Sequence, residues 1–166
     1  MSNKKPSLKY AGSLVLGISD AIVEMLGALT GLTFALQDTR LIAAAALISG
    51  FAASFSMAAS EYLSIREDGR LDPAIAGSMT GVAYFTSVVI LVSPFVFLDN
   101  VLKSLGLTVI LALMILFFFN LFIAWEKKVS FRERFVRMVA ISFGVAFLSF
   151  LVGSVVSKLI GLEGLV

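Results

Sequence analysis

Long apolar runs separated by short polar breaks run the length of this chain. A half-buried strand would alternate, and a surface helix would show a single apolar stripe. Here whole stretches are apolar on every side, as in helices surrounded by lipid. Five runs reach the ~20 residues that a helix needs to cross a bilayer at ~1.5 Å per residue. We place them at 11–36, 41–65, 74–98, 103–125 and 136–160. The breaks read as helix ends. Asp72-Pro73 is an N-cap followed by proline at the first helical position. Asp99 and Asn100 offer caps before the fourth run. Ser130 to Glu133, in "SFRE", reads as a capping box, so the fifth helix would start outside the membrane with Phe131 and Phe135 on one interfacial face. Pro94 would bend the outer end of the third helix. The pattern predicts an all-α integral membrane protein of five transmembrane helices. No Gly/Ser/Pro-rich linker divides it, so residues 1–166 are expected to form a single transmembrane domain. "MSNKKPSLKY" leads straight into a full-length span, so no cleavable signal is expected.

Composition agrees with that reading. Of 166 residues, 59% are hydrophobic and 14% charged, where a soluble domain runs near half and about a quarter. Mean hydropathy is +1.01. The charges also orient the chain. With the N-terminus in the cytoplasm, the inside segments hold Lys4, Lys5, Lys9, Arg66, Arg70, Lys127, Lys128, Arg132, Arg134 and Arg137. The outside segments hold Arg40, Lys103 and Lys158, which accounts for all 13 basic residues. A ten-to-three bias predicts a cytoplasmic N-terminus and an outside or lumenal C-terminus. The net charge of +2 then reflects orientation and contact with anionic lipid rather than nucleic-acid binding.

Two absences narrow the chemistry. Cysteine is missing, so there is neither a disulfide framework nor a thiolate metal site. Histidine is missing as well, which removes the commonest transition-metal ligand and the commonest general base. With no Gly-x-Ser-x-Gly elbow either, an enzyme is not expected. No permanently bound cofactor is expected.

Three acids fall inside spans: Asp20, Glu24 and Glu61. A carboxylate at mid-membrane costs about 2.5–3.5 kcal/mol on the insertion scale, so Asp20 and Glu24 together cost about 5–7 kcal/mol. The first span holds around a dozen strongly apolar residues, each returning about 0.3–0.6 kcal/mol. These contributions nearly cancel, and the first helix depends on neighbours or water around its acidic face. Such residues usually mark an ion or proton pathway.

Spacing groups them further. Asp20, Glu24, Gly27 and Gly31 fall at i, i+4, i+7 and i+11 and share one stripe of the first helix. Gly27 and Gly31 form a GxxxG pair that permits close helix approach. On the second helix Gly50, Ser54, Met57 and Glu61 share a stripe with the same spacing. The two helices run antiparallel, and the stripes are expected to face each other. Asp20 would lie about 14 Å from the inner surface and Met57 about 12 Å, at one depth. Met57 reads either as core filling or as a soft ligand. Glu61, near the inner surface, reads either as part of the pathway or as a side chain snorkelling towards Arg66. Asn120 in the fourth span is expected to bond a neighbouring helix.

Carboxylates suit hard cations, and an added thioether favours softer ones such as Fe²⁺. Mn²⁺ fits the oxygen-rich part, while Zn²⁺ prefers the His and Cys that are missing. A site able to hold either a divalent ion or protons could support cation/proton antiport.

"VLGISDAIV" (15–23) and "SMAASEYLS" (56–64) resemble the first- and second-helix signatures of the vacuolar iron transporter family. The resemblance covers roughly residues 10–68. It implies export of Fe²⁺, often also Mn²⁺, from the cytosol in exchange for protons, by a homodimer with its pathway near the subunit interface. The family's first-helix acid falls on Asp20, its methionine ligand on Met57, and the glutamate of its Glu-Tyr pair on Glu61. Three features depart from the pattern. Ala21 and Ser60 stand where glycine is usual. Glu24 adds a carboxylate where many members carry Ser or Thr. The connection "REDGRLDP" (66–73) replaces a metal-binding cytosolic domain, so this resembles a short member; Glu67, Asp68 and Asp72 read either as a solvated loop or as a weak cation collector.

The expected function is therefore proton-coupled divalent-metal export, with Asp20, Glu24, Met57 and Glu61 as the ion pathway. Gly27, Gly31, Gly50 and Ser54 would form a helix-packing or dimer stripe. The alternative is a small-residue-packed helical membrane dimer with a structural or interaction role and no transport. A prokaryotic plasma membrane is expected, or a vacuolar-type membrane if the source is eukaryotic.

Overall fold

A computed structural model describes residues 10–69 and 72–160. Lys4, Lys5, Lys9 and Arg70, counted above among the inside charges, lie outside the described residues, as does the side chain of Lys127. The described residues form five helices: α1 (Ala11–Leu36), α2 (Thr39–Asp68), α3 (Pro73–Phe97), α4 (Val101–Lys127) and α5 (Phe131–Ile160). All five are long and apolar enough to cross a membrane. Among the described residues there is no strand.

The helix ends follow from local chemistry. Asp72 accepts from the backbone N–H groups of Ala74 at 3.0 Å and Ile75 at 3.3 Å, and Pro73 opens α3 as expected. Asn100, rather than Asp99, caps α4 by accepting from Lys103 N at 2.9 Å. Asp38 does the same for α2, at 2.8 and 2.9 Å from Arg40 N and Leu41 N. Gly69 ends α2 at φ 65°, a left-handed conformation that glycine adopts without a Cβ penalty. Ser130 accepts from Glu133 N at 3.4 Å, one arm of the expected box. The fifth helix accordingly begins at Phe131. Phe131 stacks on Phe135 at 5.4 Å, and both rings meet Phe117 of α4 edge-on.

Short connections make successive helices antiparallel. Helix α3 packs along both α1 and α2, and α1 packs along α5 on another side. The core lies where these meet: Ile22, Met25, Leu26 and Leu29 of α1, Ile42 of α2, Tyr84, Val88, Leu91 and Phe95 of α3, and Leu116 of α4.

Polar groups inside the spans are satisfied mainly by backbone. Proline 94 has no N–H to give to the carbonyl of Ile90, and the Ser93 hydroxyl donates to that carbonyl at 2.8 Å, a local repair of the kind that lets proline persist in membrane helices. Thr108 of α4 reaches the Leu91 carbonyl at 2.9 Å. Asn120, expected to bond a neighbouring helix, instead donates to Leu116 O of its own helix at 2.8 Å. It is buried, and the carbonyl one turn back is within reach of its short side chain.

Candidate functional site

The expected pairing of two stripes is replaced by a division of labour around α1. Gly27 and Gly31 face α5, not α2. A Cβ on Gly27 would stand 2.9 Å from Val145 Cγ1, and one on Gly31 would stand 3.0 Å from the Ser149 carbonyl oxygen. Gly153 of α5 lies directly against the backbone of Gly31. The α2 stripe faces α3: a Cβ on Gly50 would meet the Val88 side chain, and Gly81 of α3 approaches the Ser54 carbonyl. The small residues thus pack helices within one chain. Periodicity identified the faces, but which helix covers each face is decided by tertiary packing.

A different α1 stripe meets α3. Ser13, Gly17, Ala21 and Glu24 recur at helical spacing. A Cβ on Gly17 would collide with the Thr80 carbonyl, so glycine permits the approach. Three hydrogen bonds then cross between helices. Thr80 Oγ1 donates to the Ser13 carbonyl at 3.0 Å. Ser13 Oγ donates to Glu61 Oε1 at 2.6 Å. Tyr84 Oη donates to Glu24 Oε2, and Tyr84 is fully buried.

Of the four sequence-predicted pathway residues, Asp20 and Glu24 share one turn of α1. Asp20 is half-buried, while Glu24 is exposed on the surface of the single chain. Met57 is half-buried and packs against the core. Glu61 is engaged with Ser13, nearly two turns of α1 before Asp20, rather than reaching for Arg66. Among the described residues, no three acids converge into a group that could hold a metal ion. A groove of about 650 Å³ between α2 and α3, lined by Phe51, Phe55, Tyr62 and Phe85 among others, contains none of the four.

Ser13, Thr80 and Tyr84 were missed from sequence. A signal existed for one of them. Tyrosines in membrane helices favour the interfaces, whereas Tyr84 lies within a span, where its hydroxyl needs a partner. An acid on another helix was the natural candidate.

In comparison with known protein families, residues 11–71, the stretch that holds α1 and α2, match the model of the VIT family. The match bears out the resemblance read from the two signatures and covers nearly the same stretch. The VIT family is a family of membrane transporters. None of the curated proteins compared matches the chain.

Proposed function

We propose that this integral membrane protein exports a divalent transition metal, Fe²⁺ or Mn²⁺, from the cytosol in exchange for protons. The observation that carries this reading is that the VIT-matched segment holds all four candidate side chains, two of them acids on one turn of a membrane-spanning helix. Asp20, Glu24 and Met57 would hold the ion, and Glu61, at the inner end beside Ser13, would guide it in. Protons returning down their gradient would reoccupy the carboxylates as the ion leaves. The direction rests on the ten-to-three distribution of basic residues, which favours a cytoplasmic N-terminus.

Among the described residues one chain brings too few acids together to enclose a cation, yet Glu24 opens onto its surface and Asp20 is only half-buried. A two-fold dimer closing over that surface doubles the ligand set. The membrane proposed is a prokaryotic plasma membrane. The structural alternative, a packed scaffold without transport, is weakened because Gly27, Gly31, Gly50 and Ser54 are already used inside the chain.

The test is uptake of Fe²⁺ or Mn²⁺ by proteoliposomes holding the purified protein, with a pH gradient imposed and internal pH followed. Metal movement coupled to proton counterflow is expected, and Asp20→Asn is expected to abolish it. Undiminished transport by Asp20→Asn would refute the mechanism.

A further inference from the structure

Glu24 makes an unusual pairing for a residue exposed in a membrane span. Its Oε2 is taken by the hydroxyl of Tyr84, a side chain with no exposed surface at all, held in the core beside Val88 and Leu91. Among the described residues nothing bonds Oε1. The carboxylate is therefore tethered at one oxygen from the rigid interior and open at the other. Tyr84 belongs to α3, beyond the family-matched segment, so this tether comes from outside the helices that carry the candidate ligands.

We propose that Tyr84 is a positioning residue that tunes specificity: by engaging one lone pair of Oε2 and fixing the direction of the carboxylate, it biases Glu24 towards one-oxygen coordination of the transported cation through Oε1. This rests on the transport reading above. Denticity matters because cations differ in what they demand. Calcium takes six to eight oxygens in flexible geometry and readily accepts both oxygens of one carboxylate. Smaller transition cations are satisfied by fewer, better-directed ligands, with thioether sulfur adding preference for the softer ones. A glutamate whose Oε2 is already engaged and whose direction is fixed offers Oε1 most readily, which disfavours calcium relative to Mn²⁺ or Fe²⁺. Freed from Tyr84, the same glutamate could chelate with both oxygens and would lose its fixed direction.

Tyr84→Phe removes the hydroxyl and keeps the ring that fills the core. The experiment measures Mn²⁺ uptake into proteoliposomes, giving a KM for Mn²⁺ and an inhibition constant for competing Ca²⁺. Four proteins are compared: the parent, Tyr84→Phe, Glu24→Gln and the double variant, each checked for an unchanged elution profile. The preference for Mn²⁺ over Ca²⁺ is expected to fall about tenfold in Tyr84→Phe, the scale of one hydrogen bond to a charged group. In the Glu24→Gln background the same substitution is expected to change nothing. An unchanged preference in Tyr84→Phe overturns the proposal. So does an equal fall with Glu24 already replaced, because that would mark a structural effect. A parent that moves no Mn²⁺ or Fe²⁺ overturns the transport reading itself, and this inference with it.

Discussion

Ser13 and Glu61, 48 positions apart in the chain, are joined by a 2.6 Å hydrogen bond that ties the start of α1 to the end of α2. Ser13 is also held from the other side, because its carbonyl accepts from Thr80 of α3. One small residue thus links three helices. Interhelical hydrogen bonds in membranes average about 0.6 kcal/mol and reach about 1.7 kcal/mol. Ser13→Ala is expected to destabilise the detergent-solubilised protein within that range and to leave Glu61 unanchored. A lowered melting temperature together with a raised KM for metal would bear this out. A change in melting temperature alone would remove Glu61 from the entry path.

Met57 packs half-buried on the core, so its thioether can be removed with little loss of volume. Met57→Leu is expected to cost under about 1.5 kcal/mol in stability. It should reduce Fe²⁺ transport more than Mn²⁺ transport, because sulfur favours the softer ion. Comparing the two uptake rates in one proteoliposome preparation checks this. Equal losses for both ions would make Met57 core filling.

The contact between α1 and α5 gives a contrast between two glycines on one helix. Gly153 lies against the backbone of Gly31, whereas Gly144 has open space where a Cβ would go. Gly153→Val must push the helices apart and is expected to cost about 1–3 kcal/mol or more, since backbone cannot yield as a side chain can. Gly144→Ala is expected to be neutral or stabilising by up to about 1 kcal/mol, from helix propensity alone. Thermal unfolding of both variants tests the pair.

Ser93 and Pro94 form a compensated defect. Ser93→Ala leaves the Ile90 carbonyl without its hydroxyl donor, at an expected cost of about 1–3 kcal/mol. In a Pro94→Ala background residue 94 regains its N–H, and the same serine substitution is expected to cost much less. Equal costs in both backgrounds would show that the hydroxyl does not replace the missing backbone donor.

The helices were legible because crossing a membrane demands length and apolarity, which are one-dimensional properties. Asp72-Pro73 and Asn100 announced helix starts because capping is settled within four residues. The acids were conspicuous because hydrocarbon makes any charge costly. What covers each helix face was not legible. Gly27 and Gly31 declare that something comes close, but α2 and α5 are both apolar partners, and only the assembled packing chooses between them. Asn120 illustrates the same limit: a buried amide needs an acceptor, and its own helix was as available as a neighbour. Glu24 stood out as a departure from the family pattern, yet its partner Tyr84 lies 60 positions away, on a helix beyond the family-matched residues.

The position of Tyr84 bears on how this protein can be taken apart. Residues 11–71 carry every candidate ligand, and a chimera that transplanted them onto another helical scaffold would look complete on paper. It would arrive without Tyr84 and Thr80, the two hydroxyls of α3 that hold α1 in place. The smallest portable unit therefore runs through α3.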